Sequence, residues 1–506
     1  MKKNFLLTVV AFLFISSSFQ GQTIHRLTLD ECVELAGEQS FQMRKSKSAY
    51  EIAKFGYLVQ TSNLKTNIDF SFNPVLSKTY NPQTDFTNRN GENLYRSNYV
   101  TSTNSFIIIS QPLPTGGYIE FEPGFSATTR NYFTKFDDDV IADPGNKTLT
   151  FNPSFKLTQP LNSFYVFNRY KYIQKSADLN FERAEISYKQ VKFLIQYQIG
   201  ILYFQIQNIL QDIEVQKLLL STKKSVYNKF LPYGETDNSE LIKLKIEVER
   251  TETNLNNLYY AYTSKVNDLK QQLALPEKDS ILIDNKMAIN EYLINTNKLI
   301  KVATERHLLI KRYNIDIKLD ELKYKEIKAE SLLKADLSLY FNPYSSVAGE
   351  ADISYMDLMS DVWDQSARRT ETLNDLSLGL RISLPIYEAK RTKNQMLIKD
   401  EEIRINKINI EEQEELIQKN IHTLVEQIAY TLENIKIIET MMESSQQNME
   451  DGIQKFYNEA TDTYRLAYDL KLWEDARLNY SAMQMNYNLL INRLEYEILD
   501  HLENVQ

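Results

Sequence analysis

The segment SFKLTQP (residues 154–160) and the segment GLRISLP (residues 379–385) stand 225 residues apart. Both alternate apolar and polar side chains, both stop at a proline, and both lead into a tract with helical character. Aligning the prolines pairs Phe155 with Leu380, Lys156 with Arg381, Leu157 with Ile382 and Thr158 with Ser383. The offset then holds over the next 76 residues without a net gap, landing Thr236-Asp237 on Thr461-Asp462 and Leu241 on Leu466. A second match lies upstream, NIDFSFNP (residues 67–74) against DLSLYFNP (residues 336–343), at an offset of 269. The smaller second offset means that the first copy carries 44 extra residues between its strands. Two matches in the same order, with the same periodicity, mark an internal duplication.

Each copy reads helix, strand, excursion, strand, long helix, tight turn, helix. The first helix starts at TLDECVELA, with Thr28 or Asp30 as N-cap and Glu31 in the first turn. Its counterpart spans residues 291–333. After Pro160 there is no proline until Pro232, and after Pro385 there is none at all. Apolar or small residues recur at Ile173, Ala177, Phe181, Ala184, Tyr188, Val191, Ile195, Ile199, Leu202, Ile206, Ile209 and Ile213, a period near 3.6. That spacing predicts a continuous amphipathic helix, packed nearly straight because its period exceeds 3.5. A helix of this kind is roughly 100 Å long at 1.5 Å per residue, more than an ordinary globular core requires.

The strand segments alternate strictly: Leu380, Ile382 and Leu384 against Arg381 and Ser383, and Ile68, Phe70 and Phe72 against Asn67, Asp69 and Ser71. One apolar face is compatible with a half-buried soluble sheet or with a membrane barrel facing lipid on one side. The opening MKKNFLLTVVAFLFISSSFQGQ favours the barrel. Lys2 and Lys3 precede an apolar stretch and a serine-rich exit, a secretory signal peptide over residues 1–21. No later segment has the ~18 unbroken apolar residues of a membrane helix. Two or four strands per copy cannot close a barrel alone, and open edges are not tolerated in lipid. The chain is therefore expected to oligomerise.

In the first excursion, SFIIISQPLPTGGYIEFEPGF (residues 105–125) reads as a hairpin with Gly116 and Gly117 in the turn. It forms either an extracellular β-extension, the preferred reading, or two further wall strands. FDDDVIADPG (residues 136–145) reads as a solvated acidic loop, with cation binding as the alternative.

Other chemistry finds little support. The chain has 506 residues, a net charge of −9 and one cysteine, Cys32, so it offers neither a basic face for nucleic acid nor an intrachain disulfide. His25, His307, His422 and His501 lie in unrelated segments, and no HExxH, Walker A, GxGxxG or GxSxG motif is present. EEQEEL (residues 411–416) is a charged helix face. Met441-Met442 and Met483 with Met485 read as helix packing rather than a soft-metal site. No catalytic, metal or cofactor-binding residues are assigned.

LTLDECVELA, the junctions LTQPL (residues 157–161) and SLPIY (residues 383–387), and YGETDNSELIKLK (residues 233–245) together resemble the TolC family of outer-membrane efflux proteins over essentially the whole mature chain. The fold this implies is mainly α with β: a duplicated strand-hairpin plus long-helix unit, building a trimeric α-helical barrel continuous with a transmembrane β-barrel. Its parts would be a first repeat over residues 22–276, with strands in 66–160 and a tip hairpin at 230–240. A connector in the equatorial region follows at 277–290. The second repeat covers 291–506, with strands in 336–386 and a tip hairpin at 455–468.

The implied function is a passive exit duct of a tripartite efflux system in the outer membrane, with the helical part in the periplasm. The duct exports small molecules and works with a periplasmic adaptor and an inner-membrane pump. Alternatives are a conduit of the same fold for type I protein secretion and, in a different class, a periplasmic coiled-coil scaffold without a pore. Gly234, Glu240, Asp462, Tyr464, Arg465 and Asp469 are the candidate gate residues at the tips. Lys156, Arg381 and Asp69 are the candidate lumen-facing strand residues. The second tip departs from the family pattern, with Glu459 matching Gly234 and Arg465 matching Glu240. Glu240 and Arg465 are therefore expected to pair between neighbouring hairpins.

Overall fold

The computed structural model describes residues 24–80, 86–87, 93–136, 139–231, 239–372, 375–459 and 463–505. The signal peptide reading over residues 1–21 lies outside them. Residues fall into two compact units, one from Met1–Glu51, Ala184–Tyr313 and Ile408–Gln506, the other from Ile52–Arg183 and Asn314–Lys407.

The helices repeat in order and in length. In the first copy they are α1 (Leu29–Gln39), α2 (Phe41–Ser62), α3 (Arg169–Phe230) and α4 (Ser239–Leu273). In the second they are α5 (Thr296–Arg306), α6 (Leu308–Glu330), α8 (Arg391–Glu459) and α9 (Thr463–Ile498). The first pair, α1 and α5, has 11 residues in each copy; the long helices α3 and α8 have 62 and 69. Both short helices start the same way. Thr28 accepts the Glu31 N–H and Glu31 reaches back to Thr28 in a capping box; Asn295 accepts the Lys298 N–H. Both break from the following helix at one extended residue, Ser40 with ψ 144° and His307 with ψ 121°. Both copies also end in a left-handed residue that is not glycine: Ala274 (φ 53°) after α4 and Leu499 (φ 54°) after α9. Leu275 N–H then reaches the Lys270 carbonyl, and Asp500 N–H that of Glu495, which satisfies helix-end acceptors.

The cores of the helical unit are duplicated too. One joins Cys32, Ala36, Met43, Ile199, Tyr203, Val266, Leu269 and Leu273; the other joins Leu299, Ala303, Ile310, Leu424, Ile428, Ile491, Leu494 and Ile498. These pair one to one, at an offset of 267 for the first three and 225 for the rest. The twelve-position stripe expected along α3 is buried or half-buried throughout, with none of it exposed. Cys32 is thus a core side chain standing where the second copy has Leu299, and burial pushes its thiol up to about 12. A further parallel pair, β1 (Ile24–Arg26) with β7 (Ser280–Leu282), belongs to the same unit.

The second unit is built on one antiparallel sheet. Its strands are β2 (Asn67–Tyr80), β3 (Phe86–Thr87), β4 (Asn93–Pro112), β5 (Tyr118–Phe136), β6 (Asp139–Pro160), β8 (Lys334–Phe341), β9 (Ser345–Glu350) and β10 (Leu376–Ser383). The main path runs β10-β8-β6-β5-β4-β2; β3 pairs with β4, and β9 with β6. Strands β2 and β8 are the upstream match of the duplication, and β6 and β10 the downstream match. The greater length of the first copy goes into the β4–β5 hairpin, which lies between β2 and β6 in the sheet. The preference for an extension is therefore corrected: β4 and β5 are strands of the main sheet, hydrogen-bonded on both sides. Their turn is the expected one, closed by Gly116 N–H to the Leu113 carbonyl and Leu113 N–H to the Gly117 carbonyl. Gly116 has φ 90°, and a Cβ there would lie 2.8 Å from Ser163 Cβ. A helix unforeseen in the second excursion, α7 (Tyr355–Thr372), packs on β6 and β9. The short C-terminal helix α10 (Leu502–Val505) completes the fold.

Candidate functional site

Antiparallel partners directly opposite each other share a sheet face, so the register sorts the two faces without ambiguity. One face carries Ile68, Phe70 and Phe72 of β2; Ile109 of β4; Ile119 and Phe121 of β5; Phe155 and Leu157 of β6; Leu337 and Leu339 of β8; and Leu378, Leu380 and Ile382 of β10. The face is predominantly apolar, with Ser105, Gln111 and Gln159 standing opposite Phe72, Ile119 and Leu337. Many of its apolar members are bare in the single chain, with Phe70 70% and Leu378 71% exposed. An apolar surface this extensive marks an interface with lipid or another chain.

The opposite face is mainly polar, with Phe106 and Ile108 of β4 as apolar members, and the three strand candidates all lie on it. Lys156 stands across from Glu120 on β5, with its ammonium 5.7 Å from the Tyr118 ring centre. Arg381 stands across from Asp336 on β8. Asp69 accepts a 2.6 Å hydrogen bond from the Asn67 amide. Lys156 and Arg381 therefore sit opposite charges of the other sign, the arrangement that stabilises cross-strand pairs, whereas Asp69 faces Ile108. The two outermost strands of the main path, β2 and β10, each have one edge without a partner among the described residues.

The hairpin ends form the second candidate region, within the helical unit. Helix α3 ends at Phe230 and α4 begins at Ser239; α8 ends at Glu459 and α9 begins at Thr463. Gly234 and Asp462, and the side chain of Glu240, lie outside the described residues. A shared cluster of Val215, Leu219, Val226, Met449, Phe456, Leu466, Leu470 and Trp473 joins α3, α8 and α9 here. Lys229 on α3 donates to the carbonyls of Phe456 (2.9 Å) and Tyr457 (3.1 Å), at the last turn of α8. Its ammonium also lies 4.8 and 4.7 Å from the two ring centres. A cation here meets the negative end of the α8 dipole, so burial, dipole and ring faces act together. Lys243 donates to the Tyr464 hydroxyl at 2.8 Å. Sequence reasoning missed both lysines, because their partners belong to the other hairpin.

Tyr464 and Arg465 are exposed, whereas Asp469 is half-buried against α8, where a Cβ on Gly452 would come within 2.9 Å of its carboxylate. Further along, polar groups line the contact between α3 and α9. Gln216 donates to Glu474 at 2.7 Å, and Ser481 donates to Asp212 at 2.8 Å. Burial raises the Asp212 carboxyl above its ordinary value, partly offset by hydrogen bonds from Ser481 and Asn208. Among the described residues no group of three or more His, Cys, Asp or Glu forms a metal cluster. No described helix is long and apolar enough to cross a membrane.

A duplicated chain that joins paired long helices to a sheet with one predominantly apolar face has the fold of the outer-membrane channels. The open-state MtrE outer membrane channel of Neisseria gonorrhoeae matches 94% of this chain and 89% of its own, with a TM-score of 0.64 at 10% identity. The outer membrane protein VceC of Vibrio cholerae matches 94% of this chain and 96% of its own, with a TM-score of 0.61 at 11% identity. The CmeC outer membrane channel of Campylobacter jejuni matches 95% and 90%, with a TM-score of 0.61 at 11% identity. No protein-family model and no curated protein matches the sequence. The mainly α architecture with one β-sheet expected from the TolC resemblance is the one the chain has.

Proposed function

We propose that the protein is an outer-membrane duct, a homotrimer whose sheets close one transmembrane β-barrel and whose helices continue it into the periplasm as a tunnel. It serves as the passive exit of a tripartite efflux system for small molecules, joined to a periplasmic adaptor and an inner-membrane pump. The observation that carries this reading is the six-strand path with one apolar face and two open edges, β2 and β10. Open edges are intolerable in lipid, so β2 of one copy pairs with β10 of the next. Three copies then close a barrel of roughly eighteen strands, wide enough for an aqueous channel. The polar face becomes the lumen, lined by Asp69, Lys156 and Arg381. The repeats over residues 22–276 and 291–506 supply equivalent staves, joined by the connector at 277–290.

Gly234, Glu240, Asp462, Tyr464, Arg465 and Asp469 are assigned to the periplasmic gate. Glu240 and Arg465 pair between neighbouring hairpins and hold it closed, so Glu240→Ala is expected to raise the closed-state current. Unchanged current would remove this pair from the gate.

The test of the whole reading uses cysteine pairs scanned along β2 and β10 in a Cys32→Ser background. Oxidation is expected to produce a ladder ending at three chains, from material that needs detergent and conducts ions in planar bilayers. Monomer that leaves the envelope without detergent would instead identify a scaffold. In cells, loss of the protein is expected to sensitise to small toxic compounds; loss of one secreted protein without such sensitivity would indicate protein export.

A further inference from the structure

Strands β4, β5 and β6 run for 20, 19 and 22 residues, about twice the 9–11 residues with which a tilted strand crosses a bilayer. Strands β8 and β10 have eight residues each. The long strands thus continue past the level where β8 and β10 stop, at the end away from the helix junctions at Pro160 and Ser383. Their apolar face continues with them, as Phe125, Ala127, Leu149 and Phe151 follow Phe121, Phe155 and Leu157.

That continuation is covered by the chain itself. After β8, strand β9 pairs with residues 146–151 of β6, and α7 then folds back over the face. Leu358 and Val362 are buried in one cluster with Leu149 and Phe151. Trp363 lies 4.6 Å from the Phe151 ring and edge-on to Phe125 at 6.0 Å, and remains 51% exposed. Hydrogen bonds fix the helix in place: Ser345 donates to the Val362 carbonyl (2.9 Å), Ser366 to the Pro343 carbonyl (3.1 Å) and Lys147 to the Ile353 carbonyl (2.9 Å). The outward side of α7 is mainly polar, with Asp357, Ser360, Asp361, Asp364 and Arg368 exposed and Met356 exposed at its first turn. Nearer the helix junctions, Phe70, Leu378 and Ile382 have no such cover among the described residues.

We propose that α7 lies on the outside of the barrel at the headgroup layer of the outer leaflet and sets how deep the barrel sits. Its apolar side does for the upper strands what acyl chains do for the bare belt below. Its polar side faces headgroups and water, and Trp363 marks the boundary, where an amphipathic ring is favoured. The proposal rests on the reading of the apolar face as lipid-facing, and its test separates the two.

The chain has two tryptophans, and Trp473 is buried in the helical unit, so Trp473→Phe leaves Trp363 as the sole reporter. The full-length protein is reconstituted in phosphatidylcholine vesicles brominated either near the headgroup or near the chain ends. Trp363 emission is expected to be quenched about twofold or more by the shallow label and much less by the deep one. Quenching by the deep label, or by aqueous iodide alone, overturns the assignment of α7. A Phe70→Trp variant lacking both native tryptophans reports on the belt and is expected to be quenched most by the deep label. If it is not, the lipid-facing reading itself fails, and α7 with it.

Discussion

Among the described residues, four long strands and no helix occupy the stretch of the first copy between the strand match and the junction; in the second, two short strands flank β9 and α7. The helices on either side barely differ: they keep their caps, their one-residue breaks at Ser40 and His307, and even the same left-handed ends. The difference follows from what each part must satisfy. A helix position in a duplicated core faces a fixed set of neighbours, so Leu269 and Leu494 stay locked to equivalent partners. A sheet accepts an inserted hairpin wherever both new edges find partners, and β4 and β5 find them on β2 and β6.

The largest expected effect probes the face that both copies share. Phe70→Lys in β2 and its counterpart Leu339→Lys in β8 each put a charge on the apolar side. At a cost of about 2–4 kcal/mol near the bilayer midplane, folded, membrane-inserted trimer should fall by one to three orders of magnitude in both. Ser71→Lys and Ser377→Lys, on the polar side, should leave its yield near wild type. Equal tolerance of all four would break the assignment of the faces.

The hairpin itself comes next. Joining Tyr80 to Asp139 by a short loop makes the first copy resemble the second. Single-channel conductance should drop roughly twofold, since barrel diameter grows about linearly with strand number. Unchanged conductance would show that β4 and β5 stand outside the wall.

A smaller effect tests an asymmetry at the tips. Lys229 holds the last turn of α8, while the matching position in the second copy is Gln454. Lys229→Met should cost about 1–3 kcal/mol and speed amide exchange at residues 453–459, whereas Gln454→Met should be nearly silent. The smallest effect lies where the copies agree most. Ala274→Gly relieves a left-handed alanine and should raise stability by up to about 1 kcal/mol, read as a modest rise in the denaturant midpoint.

Much of this was legible in the sequence. The duplication, the 3.6 period of α3, the Thr28 cap and the Gly116 turn all depend on neighbours within a few residues or on repetition. What was not legible depends on distant partners. Whether residues 105–125 project or pair is decided by what lies beside β6, which alternation alone does not specify. The breaks at Ser40 and His307 carry no glycine or proline. Left-handed Ala274 and Leu499 likewise leave no mark in the residue types. The pattern of α7, with Tyr355, Leu358, Met359, Val362 and Ser366 at helical spacing, was available but lay within a stretch read as strand.

The two matched cores have one more consequence. The peptide between them is built into the first core as well, since β7 pairs with β1 and Ile281 and Ile283 are buried there. Covalent linkage fixes their proportion at one to one in every assembly. A half that has acquired extra sheet is thereby always delivered together with the half that has acquired its cover.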